Sequence, residues 1–201
     1  MHNERLHWEE QYEQGATPWD TRITPPEVTA FWAERPAPQA GIALDLGCGT
    51  ATNAAYLARL GLTVYGCDLS LTALAMGKRR LQQADASLLA QVRLFQADVT
   101  RLPLRNLAAN YVLDIGCLHG VPAATRPSYA AGVINNLAAG GFYQLYAFDY
   151  LGDDDAKEYR PARGLGKDEA IELFTPALRV IEILRARPDR HPCRWYLLQK
   201  P

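Results

Sequence analysis

The chain has 201 residues, of which 48% are hydrophobic and 21% charged, with a formal net charge of −1. This length suits one domain with a substantial core, and the balanced charge excludes a global positive field that would attract nucleic acid or anionic membrane. Four cysteines without C-x-x-C spacing predict reduced thiols, with no disulfide framework and no metal site. We see no apolar signal-peptide core and no run of about 18 apolar residues, so we expect a cytoplasmic protein.

The first 40 residues are rich in aromatic residues and proline and predict a helical lid outside the main sheet. Pro25 and Pro26 precede the stretch "EVTAFWAER", in which Val28, Phe31 and Trp32 fall on one helical face. We therefore divide a single predicted domain, 1–201, into an N-terminal lid, 1–40, and a cofactor-binding core, 41–201.

Strand-like and helix-like patterns alternate from Gly41 onward. The pattern predicts five buried strands, joined by helical crossovers, and then two β-rich runs linked by "RPDRHP". The predicted strands are 42–46, 62–68, 91–98, 110–116 and 142–148, and the predicted helices are 50–60, 70–83, 129–139 and 167–174. Together they predict an α/β fold, a doubly wound, Rossmann-like, mostly parallel sheet of seven strands that ends in an antiparallel hairpin.

A glycine turn follows the first predicted strand in "ALDLGCGTATN". A dinucleotide site of the form G-x-G-x-x-G needs a third glycine at position 52, where this chain has Thr52. Asp45, just before the turn, would repel a phosphate but suits an ammonium or sulfonium group. The turn therefore favours a cofactor that joins an amino-acid end to a nucleoside and carries no phosphate.

The stretch "LDLGCGTA" resembles the first motif of class I S-adenosylmethionine-dependent methyltransferases, with Ala51 at the family's usual third glycine. The resemblance implies that Asp68 accepts from the ribose hydroxyls and Asp98 from the adenine amino group. It also places Asp114 beside the methionine end. The implied cofactor-binding residues are Trp19, Asp45, Gly47, Cys48, Gly49, Asp68, Leu69, Asp98, Val99, Asp114 and Ile115.

Each of these acids has a simpler interpretation, because a lone Asp after a strand most often caps a helix or forms a turn. Four acids at four successive strand ends, together with the glycine turn, are harder to explain in that way. We therefore expect S-adenosylmethionine as the cofactor and S-adenosylhomocysteine as its product.

A narrower resemblance joins the N-terminal "WEEQYEQGATPWD" to "LDIGCLHGVP". Both stretches are similar to the subgroup of thiopurine, thiol, halide and tellurite-resistance methyltransferases. This match implies a lid that carries Trp8, Tyr12 and Trp19, with Trp8 and Tyr12 towards the substrate. Ordinary packing of a terminal helix explains those two aromatics equally well. Arg163 is a further candidate for an anionic substrate, although a solvent-facing loop charge explains it more simply.

We expect methyl transfer to a small molecule, with a thiol or another soft nucleophile (selenium, tellurium or halide) as acceptor. His119 is the candidate catalytic base, and a structural hydrogen bond in its loop is the equal alternative. An O- or N-methyltransferase remains open, and a non-catalytic cofactor-binding module or an NAD-dependent oxidoreductase ranks lower. We expect a monomer or weak homodimer that binds neither nucleic acid nor membrane.

Overall fold

A computed structural model of the protein describes residues 2–150, 152, 164–185 and 192–201. The described backbone clusters into two compact units, 1–99 and 100–201. Each unit is built around its own buried strands and is described in turn. Within the described ranges, no helix has the length and apolar character that crossing a membrane requires.

The first unit contains three parallel strands and four α-helices. Ser70 caps one of these helices as predicted, because its hydroxyl accepts a hydrogen bond from the Ala73 amide. The second helix buries Val28, Phe31 and Trp32, which confirms the predicted apolar face. The elements are α1 (His2–Glu13), α2 (Pro26–Glu34), β1 (Ile42–Leu46), α3 (Thr52–Arg59), β2 (Thr63–Asp68), α4 (Leu71–Ala84), a 3-10 helix (Ala86–Ala90) and β3 (Val92–Gln96).

The second unit contains a parallel strand pair and a C-terminal antiparallel hairpin. Its elements are β4 (Ala109–Ile115), 3-10 helices Leu118–Gly120 and Ala123–Thr125, α5 (Arg126–Asn136), β5 (Leu137–Phe148), α6 (Glu169–Phe174), β6 (Arg179–Arg185) and β7 (Cys193–Gln199); a further 3-10 helix spans Val99–Arg101. β4 runs parallel to β5, and β7 pairs antiparallel with both β5 and β6.

All seven strands belong to one sheet with the order β3-β2-β1-β4-β5-β7-β6. The predicted fold class is therefore confirmed: a mostly parallel α/β sheet that ends in an antiparallel hairpin. Residues 187–191 of the predicted hairpin link, 187–192, lie outside the described residues.

The predicted boundary between α5 and β5 is wrong by several residues. We expected the helix to continue to residue 139 and to stop at Gly140 and Gly141, but α5 ends at Asn136 and both glycines lie inside β5. Gly140 has a φ of +75°, and a Cβ at position 141 would lie 2.8 Å from the Ala109 carbonyl oxygen. The glycines therefore permit an irregular, closely paired start of the strand.

Candidate functional site

The turn after β1 is built from residues with left-handed backbone. Gly47, Gly49 and Ala51 have φ values of +67°, +50° and +64°. Glycine adopts this region without steric cost, whereas an alanine there costs about 1–2 kcal/mol. The Ala51 amide donates to the Cys48 carbonyl at 2.9 Å, and α3 begins at the next residue. The sequence thus forms a tight turn with little side-chain bulk in front of a helix.

Asp68, the last residue of β2, holds this turn. Its Oδ2 accepts from the Gly49 amide and its Oδ1 from the Ser70 amide, both at 2.9 Å. Burial raises the pKa of Asp68, and the hydrogen bonds from backbone amides lower it by less. A carboxylate has about four acceptor positions. Asp68 therefore keeps capacity for further donors while it fastens the turn to the strand.

Three N-terminal aromatic residues cluster at the turn. Trp19 lies edge-on to Trp8 and Tyr12, with ring centroids 5.4 and 6.0 Å apart, and its Nε1 donates to the Tyr12 hydroxyl at 3.1 Å. A Cβ at position 49 would lie 2.7 Å from that hydroxyl oxygen, so Tyr12 rests directly on Gly49. Tyr12 is buried, whereas Trp19 is 45% exposed. The structure thus joins the three predicted aromatics to the predicted cofactor turn.

Two groups of polar contacts fasten this N-terminal segment to the rest of the first unit. Asp20 accepts from the Thr50 hydroxyl at 2.8 Å and pairs with the Arg80 guanidinium at 2.9 Å, and Arg80 also contacts Thr50. Glu9 of α1 accepts from the Thr72 amide at 3.0 Å and from its hydroxyl at 2.7 Å, in the first turn of α4. We call these five residues the lid anchor.

The remaining predicted cofactor residues of the first unit differ in accessibility. Asp45 is only 2% exposed, and Cys48 is buried where a Cβ at Gly66 would lie 3.1 Å from its Sγ. Burial raises the pKa of the Cys48 thiol, which keeps it protonated and unreactive. Val99 is buried, whereas Asp98 and Leu69 are half-buried. The Leu69 carbonyl accepts from the Gln96 side chain at 2.8 Å.

Asp114 lies inside the second unit with 0% exposure. Its carboxylate accepts from the Cys117 amide at 2.7 Å, the Leu118 amide at 2.9 Å and the Tyr129 hydroxyl. The Tyr129 hydroxyl in turn lies 3.0 Å from that of Tyr143. Asp114 therefore organises the loop after β4 from within, while its neighbour Ile115 is half-buried.

The buried Asp114 carboxyl predicts a specific pH dependence of stability. Burial raises its pKa to about 6, despite the three hydrogen bonds that lower it. The unfolded value is about 3.9, so the folded state binds the proton more tightly. This group therefore contributes stability below about pH 4 that is lost as the pH rises through about 6, roughly 3 kcal/mol in all.

We expect the difference in free energy of unfolding between wild type and Asp114→Asn to shrink across that window, measured by urea denaturation. Asp85→Asn is the control with the opposite sign, because hydrogen bonds from Ser87 lower the pKa of Asp85. A difference that stays constant between about pH 4 and about pH 6 would contradict the prediction.

His119 has a fixed ring orientation. Its Nδ1 accepts from the Phe148 amide at 3.2 Å, and its ring stacks on that of Phe148 with centroids 4.5 Å apart. A Cβ at position 116 would lie 3.2 Å from His119 Cε1, and Gly116 has a φ of +83°. Since Nδ1 is an acceptor, the neutral ring carries its proton on Nε2. A base at Nε2 would require the other tautomer, so the geometry favours the structural role.

Arg126 at the start of α5 is a charged residue that the sequence did not reveal. It is 5% exposed, and its Nη1 lies 2.7 Å from both carboxylate oxygens of Glu169. Its Nε donates to the Val121 carbonyl at 2.9 Å, and its Nη2 donates to the carbonyls of Gly164 at 3.1 Å and His119 at 3.4 Å. All five guanidinium donors are therefore used within the unit.

Comparison with known proteins identifies the family of this chain. The family model described as thiopurine S-methyltransferase matches residues 3–189 of the chain. The chain belongs to the thiopurine S-methyltransferase family. The predicted narrower resemblance, drawn from the stretches around Trp19 and Asp114, is thereby confirmed.

A curated relative of this family member is the 2-heptyl-1-hydroxyquinolin-4(1H)-one methyltransferase of Mycobacteroides abscessus. It is 27% identical over 132 residues, which cover 66% of this chain and 56% of that protein. The chain thus spans a little over half the length of this relative.

Two solved structures share the fold. One comes from work on the conversion of a disulfide bond into a thioacetal group during echinomycin biosynthesis, with a TM-score of 0.78, 18% identity and coverage of 98% of this chain and 92% of that one. The other is the 1,6-didemethyltoxoflavin-N1-methyltransferase of Burkholderia thailandensis, with a TM-score of 0.74, 20% identity and coverage of 98% and 86%. That structure contains bound 1,6-didemethyltoxoflavin and S-adenosylhomocysteine.

The predicted and the described sites of this thiopurine S-methyltransferase family member differ in two ways: one predicted residue is not described, and two described groups of residues were not predicted. Arg163, a predicted substrate residue, lies outside the described residues. The lid anchor and the Arg126–Glu169 pair were missed, although Asp20 stands beside the predicted Trp19 in "TPWD". That adjacency is the one signal in the sequence that pointed to the lid anchor.

Proposed function

We propose that the protein transfers the methyl group of S-adenosylmethionine to a small molecule, with a thiol or another soft nucleophile as acceptor. The observation that carries the proposal is the glycine turn fastened by Asp68, in a chain of the thiopurine S-methyltransferase family. When bound, S-adenosylmethionine supplies a methyl group on a positively charged sulfur. An acceptor must be aligned in line with that methyl and the sulfur, and water must be excluded.

The residues of the first unit fit this cofactor. Gly47 adds no side chain to the turn, the Tyr12 hydroxyl occupies the space over Gly49, and Asp68 retains acceptor positions for a pair of hydroxyls. Asp45, next to the turn, supplies a negative charge suited to the amino-acid ammonium or to the sulfonium. Tyr12 covers Gly49 of the turn, and Trp19 packs edge-on against Tyr12.

The roles of the second unit follow from its hydrogen bonds. Asp114 shapes the loop from Cys117 to Gly120, which makes it a positioning residue. His119 is a positioning residue as well, because its Nδ1 is used by the Phe148 amide. A thiolate or halide needs no general base to accept a methyl group, which agrees with a histidine that is tied into the loop.

His119→Asn is expected to keep turnover within about threefold of wild type, because the asparagine oxygen replaces Nδ1 as acceptor for the Phe148 amide. His119→Phe keeps the ring but has no acceptor, so we expect about tenfold lower kcat and about 1 kcal/mol lower stability. Steady-state kinetics measures turnover for both variants, and thermal unfolding measures their stability. Loss of activity in His119→Asn, together with a changed pH profile of kcat/KM, would restore the general-base role.

A second candidate is O- or N-methyl transfer. It is favoured by the names of two similar proteins, one a hydroxyquinolone methyltransferase and one an N1-methyltransferase. The non-catalytic cofactor-binding module and the NAD-dependent oxidoreductase rank lower. Thr52 argues against the oxidoreductase, because it stands where the dinucleotide pattern needs its third glycine.

One panel separates these functions. Thiols, a thiopurine, iodide, phenols, a hydroxyquinolone and amines are incubated with S-adenosylmethionine, and S-adenosylhomocysteine is measured. Turnover of thiols or iodide supports the proposal, and turnover of phenols or amines alone overturns the soft-nucleophile assignment. Binding of NAD in preference to S-adenosylmethionine, measured by calorimetry, would overturn methyl transfer altogether.

A further inference from the structure

Three buried polar side chains of the second unit form one hydrogen-bonded chain. Asp114 lies on β4, Tyr143 on β5 and Tyr129 on α5, and each is 0% exposed. The Tyr129 hydroxyl contacts the Asp114 carboxylate on one side and the Tyr143 hydroxyl, at 3.0 Å, on the other. We call this arrangement the tyrosine–aspartate chain. Buried polar groups are unfavourable unless each is hydrogen-bonded, so the order of donors and acceptors decides whether the chain is stable.

The ionised carboxylate sets the direction of the tyrosine–aspartate chain. A carboxylate only accepts hydrogen bonds, so the Tyr129 O–H donates to Asp114. The Tyr129 oxygen is then left as the acceptor for the Tyr143 O–H. Both hydroxyl protons therefore have an acceptor, and successive hydrogen bonds that run in the same direction strengthen one another.

The same carboxylate holds the loop that follows β4. Its Oδ1 accepts from the Cys117 amide at 2.7 Å, and its Oδ2 accepts from the Leu118 amide at 2.9 Å. Both amides belong to the loop from Cys117 to Gly120, which carries His119. The tyrosine–aspartate chain thus connects α5 and β5 to the position of this loop.

A proton on Asp114 would disturb this pattern at either carboxyl oxygen. On Oδ1 the proton would face the Cys117 amide, so that two donors oppose each other. On Oδ2 it would oppose the Tyr129 hydroxyl unless both tyrosines reversed. The Tyr143 O–H would then have no acceptor within the part of the chain that the structure describes, which is costly for a buried donor. The titratable groups that the tyrosine–aspartate chain faces among the described residues are its own members and the Cys117 thiol.

We propose that Tyr129 and Tyr143 are positioning residues for methyl transfer, because their hydroxyls donate towards Asp114 and so hold the loop from Cys117 to Gly120 in one arrangement. The proposal rests on the proposed function and adds to it a control by pH, since protonation of Asp114 releases the loop. Burial raises the pKa of Asp114 to about 6, which places the release near neutral pH. The raised pKa makes the fold more stable at low pH, so the loop is released without unfolding.

A pH titration followed by NMR of backbone amides tests the chain without any turnover. We expect the Cys117 and Leu118 amide signals of the wild type to titrate together, with a midpoint at about pH 6. Tyr129→Phe removes the donor to Asp114, and we expect the midpoint to rise to about pH 7 or above, since a hydrogen bond to a charged group is lost. Tyr143→Phe keeps that donor and should raise the midpoint by less. Wild-type amides that do not titrate, or an unchanged midpoint in Tyr129→Phe, would overturn the proposal.

Tyr111→Phe is the matched control. Tyr111 is also a fully buried tyrosine, and its hydroxyl donates to the Gln144 side chain. It stands three positions before Asp114 on β4, so its side chain lies on the other face of the sheet. We expect Tyr111→Phe to leave the amide midpoint at the wild-type value even where it lowers stability as much as Tyr129→Phe. An equal rise in both variants would overturn the proposal.

The pH profile of turnover tests the effect on methyl transfer. Iodide and pentafluorothiophenol stay ionised throughout the titration, so a profile measured with either acceptor reports on the protein. We expect kcat/KM of Tyr129→Phe to be about fivefold below wild type at about pH 6 and within about twofold of it at about pH 8. A histidine base would give a wild-type profile of similar shape, but its midpoint would not follow the loss of the Tyr129 hydroxyl.

Failure of this proposal and failure of methyl transfer give different results. A higher amide midpoint in Tyr129→Phe, with no acceptor methylated at any pH, would support the hold of the tyrosine–aspartate chain on the loop and reject methyl transfer. Methylation with the same pH profile in wild type and Tyr129→Phe would keep methyl transfer and reject the positioning role.

Discussion

Replacing Arg126 with lysine is expected to lower the free energy of unfolding by about 3 kcal/mol, because two of the five guanidinium hydrogen bonds are lost and each hydrogen bond from a charged group contributes about 1.5 kcal/mol or more. The guanidinium reaches Glu169 and the carbonyls of Val121, Gly164 and His119 at the same time. A lysine ammonium is a point charge with three donors and cannot span all these acceptors. Equilibrium urea denaturation measures the loss.

Arg179→Lys is the matched control for that substitution. Arg179 is exposed on β6 and donates to the Gln199 side chain at 2.9 Å. An exposed contact of this kind should change stability by no more than about 0.5 kcal/mol. Similar losses in Arg126→Lys and Arg179→Lys would show that the buried network around Arg126 does not stabilise the fold.

Asp68→Ala is expected to weaken the binding of S-adenosylhomocysteine by about a hundredfold. Hydrogen bonds to a charged group contribute about 1.5–3 kcal/mol each, and a ribose offers two hydroxyls to this carboxylate. The substitution also leaves the amides of Gly49 and Ser70 without their acceptor, so the turn itself loosens. Isothermal titration calorimetry gives the change in Kd.

Asp85→Ala separates the effect on binding from the effect on the backbone. Asp85 also accepts from a backbone amide, that of Ser87 at 2.9 Å, but it stands at the exposed start of a 3-10 helix. We expect it to leave the Kd unchanged. An Asp68→Ala protein that is folded by circular dichroism and binds with wild-type affinity would remove Asp68 from the cofactor site.

The fold was predictable because its strands are short apolar runs between helical patterns. The runs at 42–46 and 142–148 each became part of a strand, and the two C-terminal runs became the β6–β7 hairpin. The start of β5 was not predictable from local pattern. "LAAGG" reads as the end of a helix, and pairing of Gly141 close to Ala109 overrides that preference.

The proximity of some site residues was predictable from the sequence and that of others was not, for a physical reason that differs between residues. Gly49 and Asp68 follow consecutive strands, so their proximity follows from parallel pairing of β1 and β2. Arg126 and Glu169 are separated by 43 positions, and Asp20 and Arg80 by 60. At such separations a charged residue has many possible partners of opposite charge in the sequence, and only the packing of the folded chain selects one of them.

The role of His119 was undecidable from the sequence for a related reason. Its tautomer depends on the amide of Phe148, 29 positions further along the chain. Composition and spacing carry no information about which ring nitrogen that amide meets. Loop geometry therefore favours one of two chemical roles that the same residue type can fill.

The contact between Tyr12 and Gly49 has a kinetic consequence. The Tyr12 hydroxyl occupies the space over Gly49, so a molecule can reach or leave the backbone there only after Tyr12 has moved, and the segment that carries Tyr12 is held at Thr50, Thr72 and Arg80. Departure then requires several contacts to break together, which lengthens residence time without requiring tighter equilibrium binding. Such a protein would show a fast first turnover followed by a slower steady rate, set by the exit of the spent cofactor.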